Sequence, residues 1–588
     1  MDTLGALTTL GVVIAVVVST VALRRLDRRE QRWFDVLRDR FYLGVPWGTL
    51  VVITFVLGVY LFVQDGRTSW SNPVTIPYRA WSYRYPLGVV TSSFAHAGDG
   101  HLLGNLTATI VLAPLAEYAW GHYPTDDEPA YSWLASPRVR AFVIFPAVIL
   151  AVGLLTGLFA LGPVIGFSGV VFAFAGFAIV RYPVATVVGV LGVHGVVATV
   201  IRAIQTPILE VTPAASPPAP PSWATIAIQG HALGFLLGLL LGAALLRRRN
   251  HRPNPVHLWG ALLLFGFAQG LWMIYWFGPG GSYVLLRAPG VLVVALLAVI
   301  VTAAITASDR PLLPERFRSD ATPAPTSWTR RRVFELAFGS ADEASSPSRV
   351  QTLATPDAER ESSVRIGRRR AALGSVLLVL AAISGPAVAV NAFVVDPGDT
   401  EPTVSVEDYH VTYAEDVENP VVSIGPFDAF GTEDTITSSG VIVWSDQRHL
   451  WTDAVSADRL AFSGEETVEL GGPGWRESVT ADRRGWEVVG NDTVYQVWLG
   501  TDGATELAHE SASARADVEV AGTEFELTPD DGEFRLELTR NESRDVIGIP
   551  DDGQQVTVGD VTVTRSDDEL VASTDDTRVV IASVETYD

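Results

Sequence analysis

Two polar side chains stand where hydrocarbon is expected: Ser168 in Ile165-Gly166-Phe167-Ser168-Gly169-Val170-Val171-Phe172, and His231 in Gln229-Gly230-His231-Ala232-Leu233-Gly234. Each lies at the start of a long apolar segment, where a nucleophilic or ionisable group is costly unless it has a partner or a task. A hydroxyl and an imidazole are the two parts of an activated nucleophile, the imidazole drawing the proton from the oxygen. A third element, His96-Ala97-Gly98-Asp99-Gly100-His101-Leu102-Leu103-Gly104-Asn105, also opens an apolar run. His101 and Asn105 are four apart and share a helical face. Two donors so placed can point at one oxygen, which is what stabilising a tetrahedral oxyanion requires. Each feature alone has a plainer reading. Gly-Xaa-Ser-Gly is common where membrane helices pack closely, a histidine at a helix end can bond to water or a headgroup, and His101 with Asn105 can be an interhelical clamp.

The elements that must position these residues are membrane helices. At 48% hydrophobic content over 588 residues, the chain is too long for one domain and too apolar for an ordinary soluble protein. Runs of roughly 18 or more apolar residues predict bilayer spans at 4–23, 44–64, 102–120, 139–161, 165–181, 184–204, 224–246, 256–277, 289–307 and 371–394. No basic residue precedes the first run, whereas Arg24, Arg25, Arg28 and Arg29 follow it. Such flanks favour an uncleaved anchor with its N-terminus outside. The later arginine clusters, Arg181, Arg247 to Arg249, Arg330 to Arg332 and Arg368 to Arg370, then fall on the cytoplasmic side, and ten crossings return the C-terminus outside. In that topology Ser168, His231 and His101 all start inward-running helices and lie at one depth.

The net charge of −23 is concentrated after Asp396, which argues against nucleic acid as a partner. Cysteine and lysine are both absent. Disulfides and thiolate metal sites are thereby excluded. Acidic, lysine-free surfaces resemble those of salt-loving archaea, where carboxylates keep a protein hydrated; GC-rich codon usage is the plainer alternative. After Asp396 the pattern changes to short alternating strands, as in 555–564 around a Gly559-Asp560 turn and in 524–538 around Pro529-Asp530-Asp531-Gly532, which predicts a compact all-β domain with the character of a sandwich.

With these motifs on separate predicted helices, the chain resembles the rhomboid family of intramembrane serine proteases. The resemblance rests on His101-Leu102-Leu103-Gly104-Asn105, Glu117-Tyr118-Ala119-Trp120-Gly121, Gly166-Phe167-Ser168-Gly169, and Gly230-His231 followed by Gly234 and Gly238. It implies that Ser168 is the nucleophile and His231 its general base and acid, with no third acidic member. The oxyanion donors it implies are the Ser168 backbone N–H and the side chains of His101 and Asn105. Supporting positions are His96, Glu117, Gly166, Gly169, Phe172, Gly234 and Gly238. The substrates implied are transmembrane segments of other proteins in the lipid bilayer, with no metal and no cofactor. Two positions depart from the family pattern: Phe172 stands where a tyrosine is frequent, and Trp81 and Arg84 are near each other but not adjacent.

The expected architecture is an all-α polytopic membrane protein, a six-helix core plus about four extra helices, carrying a C-terminal all-β extracytoplasmic domain. Its parts are an anchor helix and basic segment (1–41), the protease-like core (42–247), two extra helices (248–307), a flexible cytoplasmic linker (308–370), a last helix (371–395) and the acidic β domain (396–588). Asn491 and Asn541 head glycosylation sequons. His194 reads as a packing histidine, His251 and His257 as part of a basic turn, and the Asp-Asp-Gly turns as turn chemistry rather than calcium sites. The rival functions are an inactive rhomboid-like protein that binds or scaffolds membrane proteins, and a transporter, which would need polar groups through the full bilayer depth.

Overall fold

The computed structural model describes residues 3–26, 35–124, 133–209, 215–277, 282–308, 367–393, 401–419, 437–501, 504–541 and 543–587. The arginines at 28–29 and 330–332, and all but the ends of the 308–370 linker, lie outside the described residues.

Ten long apolar helices form among the described residues: α1 Thr3–Leu26, α2 Trp47–Val63, α3 Asp99–Trp120, α4 Pro137–Leu158, α5 Ser168–Arg181, α6 Pro183–Gln205, α7 Ile228–Arg248, α8 Pro255–Ala268, α9 Arg287–Thr306 and α10 Arg368–Phe393. Seven are long and apolar enough to cross a membrane, and α2, α5 and α8 are shorter. The expectation of ten full-length spans is corrected at those three. Helix α5 has 14 residues and rises about 21 Å, less than the roughly 30 Å hydrocarbon core. The chain reaches it through the non-helical segment 159–167. Helix α8 ends at Ala268 rather than near 277. Gly270 adopts φ +71°, and the chain turns into a hairpin of β1 Tyr275–Phe277 with β2 Tyr283–Leu285.

Helix α5 is the centre of the bundle, with eleven of its residues buried, and it packs against α3, α4 and α7. Its contact with α7 is glycine-made. A Cβ on Gly234 would collide with the Gly169 carbonyl oxygen, one on Gly238 with that of Ala173, and one on Gly176 with that of Phe235. Side chains this small let two backbones touch, which is how helices gain van der Waals contact in lipid.

The C-terminal region is all-β apart from a short helix, Ala457–Ser463. Three antiparallel sheets form, and the largest, of eight strands, is built around one long strand, Trp475–Val488. The first half of that strand and its neighbours pack on the four-stranded sheet of Val404–Val406, Tyr409–Glu418, Thr437–Ser445 and Leu450–Ser456. The second half packs on the sheet that runs from Ala514–Val520 to Ser543–Gly548. The single sandwich expected is thus two packed layers joined through a common sheet. The turn at Gly559-Asp560 joins Val558 to Val561 as expected. The other hairpin is tighter: Pro529 pairs with Phe534 and Asp530 with Glu533, leaving Asp531-Gly532 as a two-residue turn with φ +50° and +84°, the type I′ geometry. Asn491 and Asn541 are exposed at positive-φ turns.

The β region sits at the end of the bundle where α3, α5 and α7 begin. Ile76 and Trp81, from the loop between α2 and α3, are buried in the same core as Val411, Val443 and Leu470. Arg448 grips Asp408 through Nε (2.5 Å) and Nη2 (2.7 Å), stacks on Tyr409, and donates from Nη1 to the Tyr85 hydroxyl at 3.2 Å. The loop between α2 and α3, with Trp81 in it, is thus docked on the β region. Thr9, near the start of α1, bonds to the Ile204 carbonyl at the far end of α6, so both ends of the described chain lie toward this same face.

Candidate active site

Ser168 is the first residue of α5, so its backbone N–H belongs to the first turn and has no acceptor within the helix. His231 lies in the first turn of α7. The glycine-made contact between the two helices brings His231 Nε2 to 2.8 Å from Ser168 Oγ. The Phe172 ring stacks on the imidazole at 4.2 Å between centroids and 13° between planes, fixing its tilt without a hydroxyl. Phe265 of α8 braces Phe172 edge-on. His231 Nδ1 is buried without a partner. For Nε2 to accept the serine proton, the ring must carry its own hydrogen on Nδ1, and that hydrogen has no acceptor among the described residues.

Gly166 takes φ +130°, and any Cβ there would strike the His101 ring. The His101 imidazole therefore lies against the backbone two residues before Ser168. Asn105, one turn on, is 8% exposed, and its Nδ2 has no partner. His96 is fully buried with its ring 5.1 Å from that of His101 and neither nitrogen paired. A small crevice reaches Ser168 and His231, lined among others by Ser92, Ser93 and Thr156. Hydroxyls of this kind can hold water in a polar recess within the bundle.

Glu117 is not part of this group. It lies sixteen residues beyond His101 on α3, about 24 Å along the axis. Its Oε1 accepts from Gly48 N (2.8 Å) and its Oε2 from Thr49 N (2.8 Å) and Thr49 Oγ1 (2.7 Å). His122 Nδ1 accepts from Tyr42 N at 2.8 Å, so its hydrogen sits on Nε2, which donates to Glu117 Oε1 at 2.6 Å. The nearby carbonyl ends of α3 are capped by Arg249 on Ala119 (2.7 Å) and Arg140 on Gly121 (3.2 Å), cations at a helix C-terminus as its dipole favours. His194 lies 3.4 Å from Thr107 Oγ1.

Three amides hold the neighbourhood together. Gln64, fully buried, clips Val74 and His96 at the two ends of the loop. Gln229 donates to Phe159 O (2.7 Å) and Ile383 O (3.1 Å). Asn391 donates to Ala160 O at 2.8 Å. The signal for Gln64 and Asn391 was present, since each is a lone amide in an apolar stretch, but neither had a partner near in sequence.

Fold and site together define a multi-pass membrane protein with a serine and a histidine paired inside one end of a glycine-packed bundle. Residues 83–248 match the Rhomboid domain, so the chain carries a Rhomboid domain among apolar helices long enough to cross a membrane. Comparison with curated proteins and with solved structures gives no match. The matched span begins at the loop docked on the β region and ends with α7, so α1, α2, α8, α9, α10 and the β region lie outside it.

Proposed function

We propose that this protein is an intramembrane serine endopeptidase that cuts peptide bonds in or beside transmembrane segments of other membrane proteins. The observation that carries the reading is the 2.8 Å separation of His231 Nε2 from Ser168 Oγ. Ser168 Oγ attacks the scissile carbonyl carbon while His231 takes its proton, and the negative charge passes to the carbonyl oxygen. The Ser168 N–H, His101 and the Asn105 amide receive that oxyanion. His231 then protonates the leaving amine as the C–N bond breaks, and a water hydrolyses the acyl-serine by the same route in reverse order. A substrate helix in lipid keeps its carbonyls bonded, so the cut falls where the helix unwinds near the mouth of the site. Both termini and the β region lie on the extracytoplasmic side, as the arginine pattern directs.

The test is cleavage of a panel of membrane-anchored reporters in high salt by wild type, Ser168→Ala and His231→Ala. Wild type cuts and both variants do not. Equal cleavage by all three overturns the dyad. An inert wild type that still binds the reporters favours the scaffolding alternative.

A further inference from the structure

Segment 159–167 carries the chain from α4 to Ser168 with almost no secondary structure of its own, and two of the residues that hold it, Ala80 and Asn391, lie outside the Rhomboid domain. Asn391, near the end of α10, is 1% exposed. Its Nδ2 donates to Ala160 O at 2.8 Å. Its backbone carbonyl accepts from Tyr83 N at 2.9 Å and from Ser82 Oγ at 3.3 Å. One residue thereby ties together α10, the loop docked on the β region, and the approach to the nucleophile. The same loop adds Ala80 N to Val164 O at 3.0 Å, and Gly166 N reaches Ser92 O at 2.8 Å. Gln229, two residues before His231, reaches Phe159 O and the α10 carbonyl of Ile383. Both members of the serine–histidine pair are therefore referenced to α10. An amide in a membrane helix is costly unless bonded, and this one spends its donor on the active-site approach.

We infer that Asn391 is a positioning residue for Ser168, and that α10 with the β region behind it is a working part of the protease site; the inference rests on the serine–histidine reading above. Asn391 does not touch substrate. It fixes the Ala160 carbonyl, and through residues 160–167 the place of the Ser168 backbone N–H and Oγ. Small displacements of a nucleophile are expensive, since about 1 Å can cost on the order of a hundredfold in rate.

The experiment uses the full chain with Asn391→Leu, which keeps volume and removes the donor, and Leu378→Ala, a control on the open side of α10 (72% exposed). Three readouts are taken: kcat and KM on a cleaved reporter, the rate at which a fluorophosphonate probe labels Ser168, and amide hydrogen exchange across 159–167. The expected result for Asn391→Leu is a fall of about tenfold in kcat and in labelling, KM within about twofold, and faster exchange confined to 159–167. Leu378→Ala leaves all three unchanged. Unaltered exchange in 159–167, or equal losses in both variants, overturns the inference. A wild type that neither cleaves nor labels overturns the protease reading instead, and hydrogen exchange still decides whether Asn391 holds the segment. Should Asn391→Leu unfold, Asn391→Asp removes the same donor while keeping a polar side chain, and the same three readouts apply.

Discussion

The bundle contains two buried polar clusters at opposite ends of α3, and they differ in how completely they are satisfied. At the far end, Glu117 accepts four hydrogen bonds from Gly48, Thr49 and His122, and His122 uses both ring nitrogens. At the near end, His231 Nδ1, Asn105 Nδ2 and both nitrogens of His96 have no partner, and a crevice reaches Ser168. A fully bonded cluster contributes stability and has no capacity left for a ligand. A cluster with free donors is costly to fold, and the cost is understandable if those donors serve a substrate. Polarity inside a membrane protein is thus not one signal but two, and bond satisfaction separates them.

The sharpest way to break the comparison is to remove one group from each end. Ser168→Ala abolishes reporter cleavage and leaves the unfolding temperature in detergent unchanged. Glu117→Ala strands the Gly48 and Thr49 amides and His122, costing about 3–5 kcal/mol of stability, and its activity falls only as far as its folded fraction. A Glu117→Ala protein that is fully folded but inactive would erase the distinction. The next effect is smaller. His101→Ala and Asn105→Ala each lower kcat by roughly 10²–10³ with little change in unfolding temperature, and a loss of stability without loss of kcat in the remaining folded protein would move them to the structural class.

The smallest effect concerns the β region. Hydrogen bonds from Arg448 hold the Asp408 carboxyl below the ordinary carboxylate range. A depressed carboxyl stabilises the folded β region above its free pKa, near 4, and that stabilisation is lost as pH falls through the lower folded value. The unfolding temperature of the β region is therefore level from neutral pH down to about 4 and declines below it. Asp408→Asn lowers the neutral-pH value and reduces the acid decline. An acid decline of the same size in wild type and Asp408→Asn would show that this pair is not responsible.

Much of this was legible in the chain. Hydropathy located the ten long apolar helices of the described residues because lipid demands a continuous apolar run and a self-bonded backbone. Ser168, His231, His101 and Asn105 stood out because each interrupts such a run. What failed had a common cause. The shortness of α5 goes with the non-helical segment 159–167, which distant residues such as Ala80 and Asn391 hold, and the early end of α8 with a left-handed glycine. Trp81 is buried by the β region, whose strands are more than 300 residues away in the chain. The bond between Ser82 and the Asn391 carbonyl spans 309 residues, and no local pattern encodes it.

The sequence by itself determined the class of structure over most of the chain and the types of residue available for chemistry, since burial cost and periodicity act over a few neighbouring residues. Only the tertiary structure decided which polar groups meet. The 2.8 Å approach of His231 to Ser168 exists because Gly169, Gly234 and Gly238 let two backbones touch. The division between a satisfied clamp at Glu117 and an open site at Ser168 follows from partners that distant segments supply. Hydrogen bonding is short-ranged and directional, so a residue's role is settled by what the fold brings within about 3 Å of it.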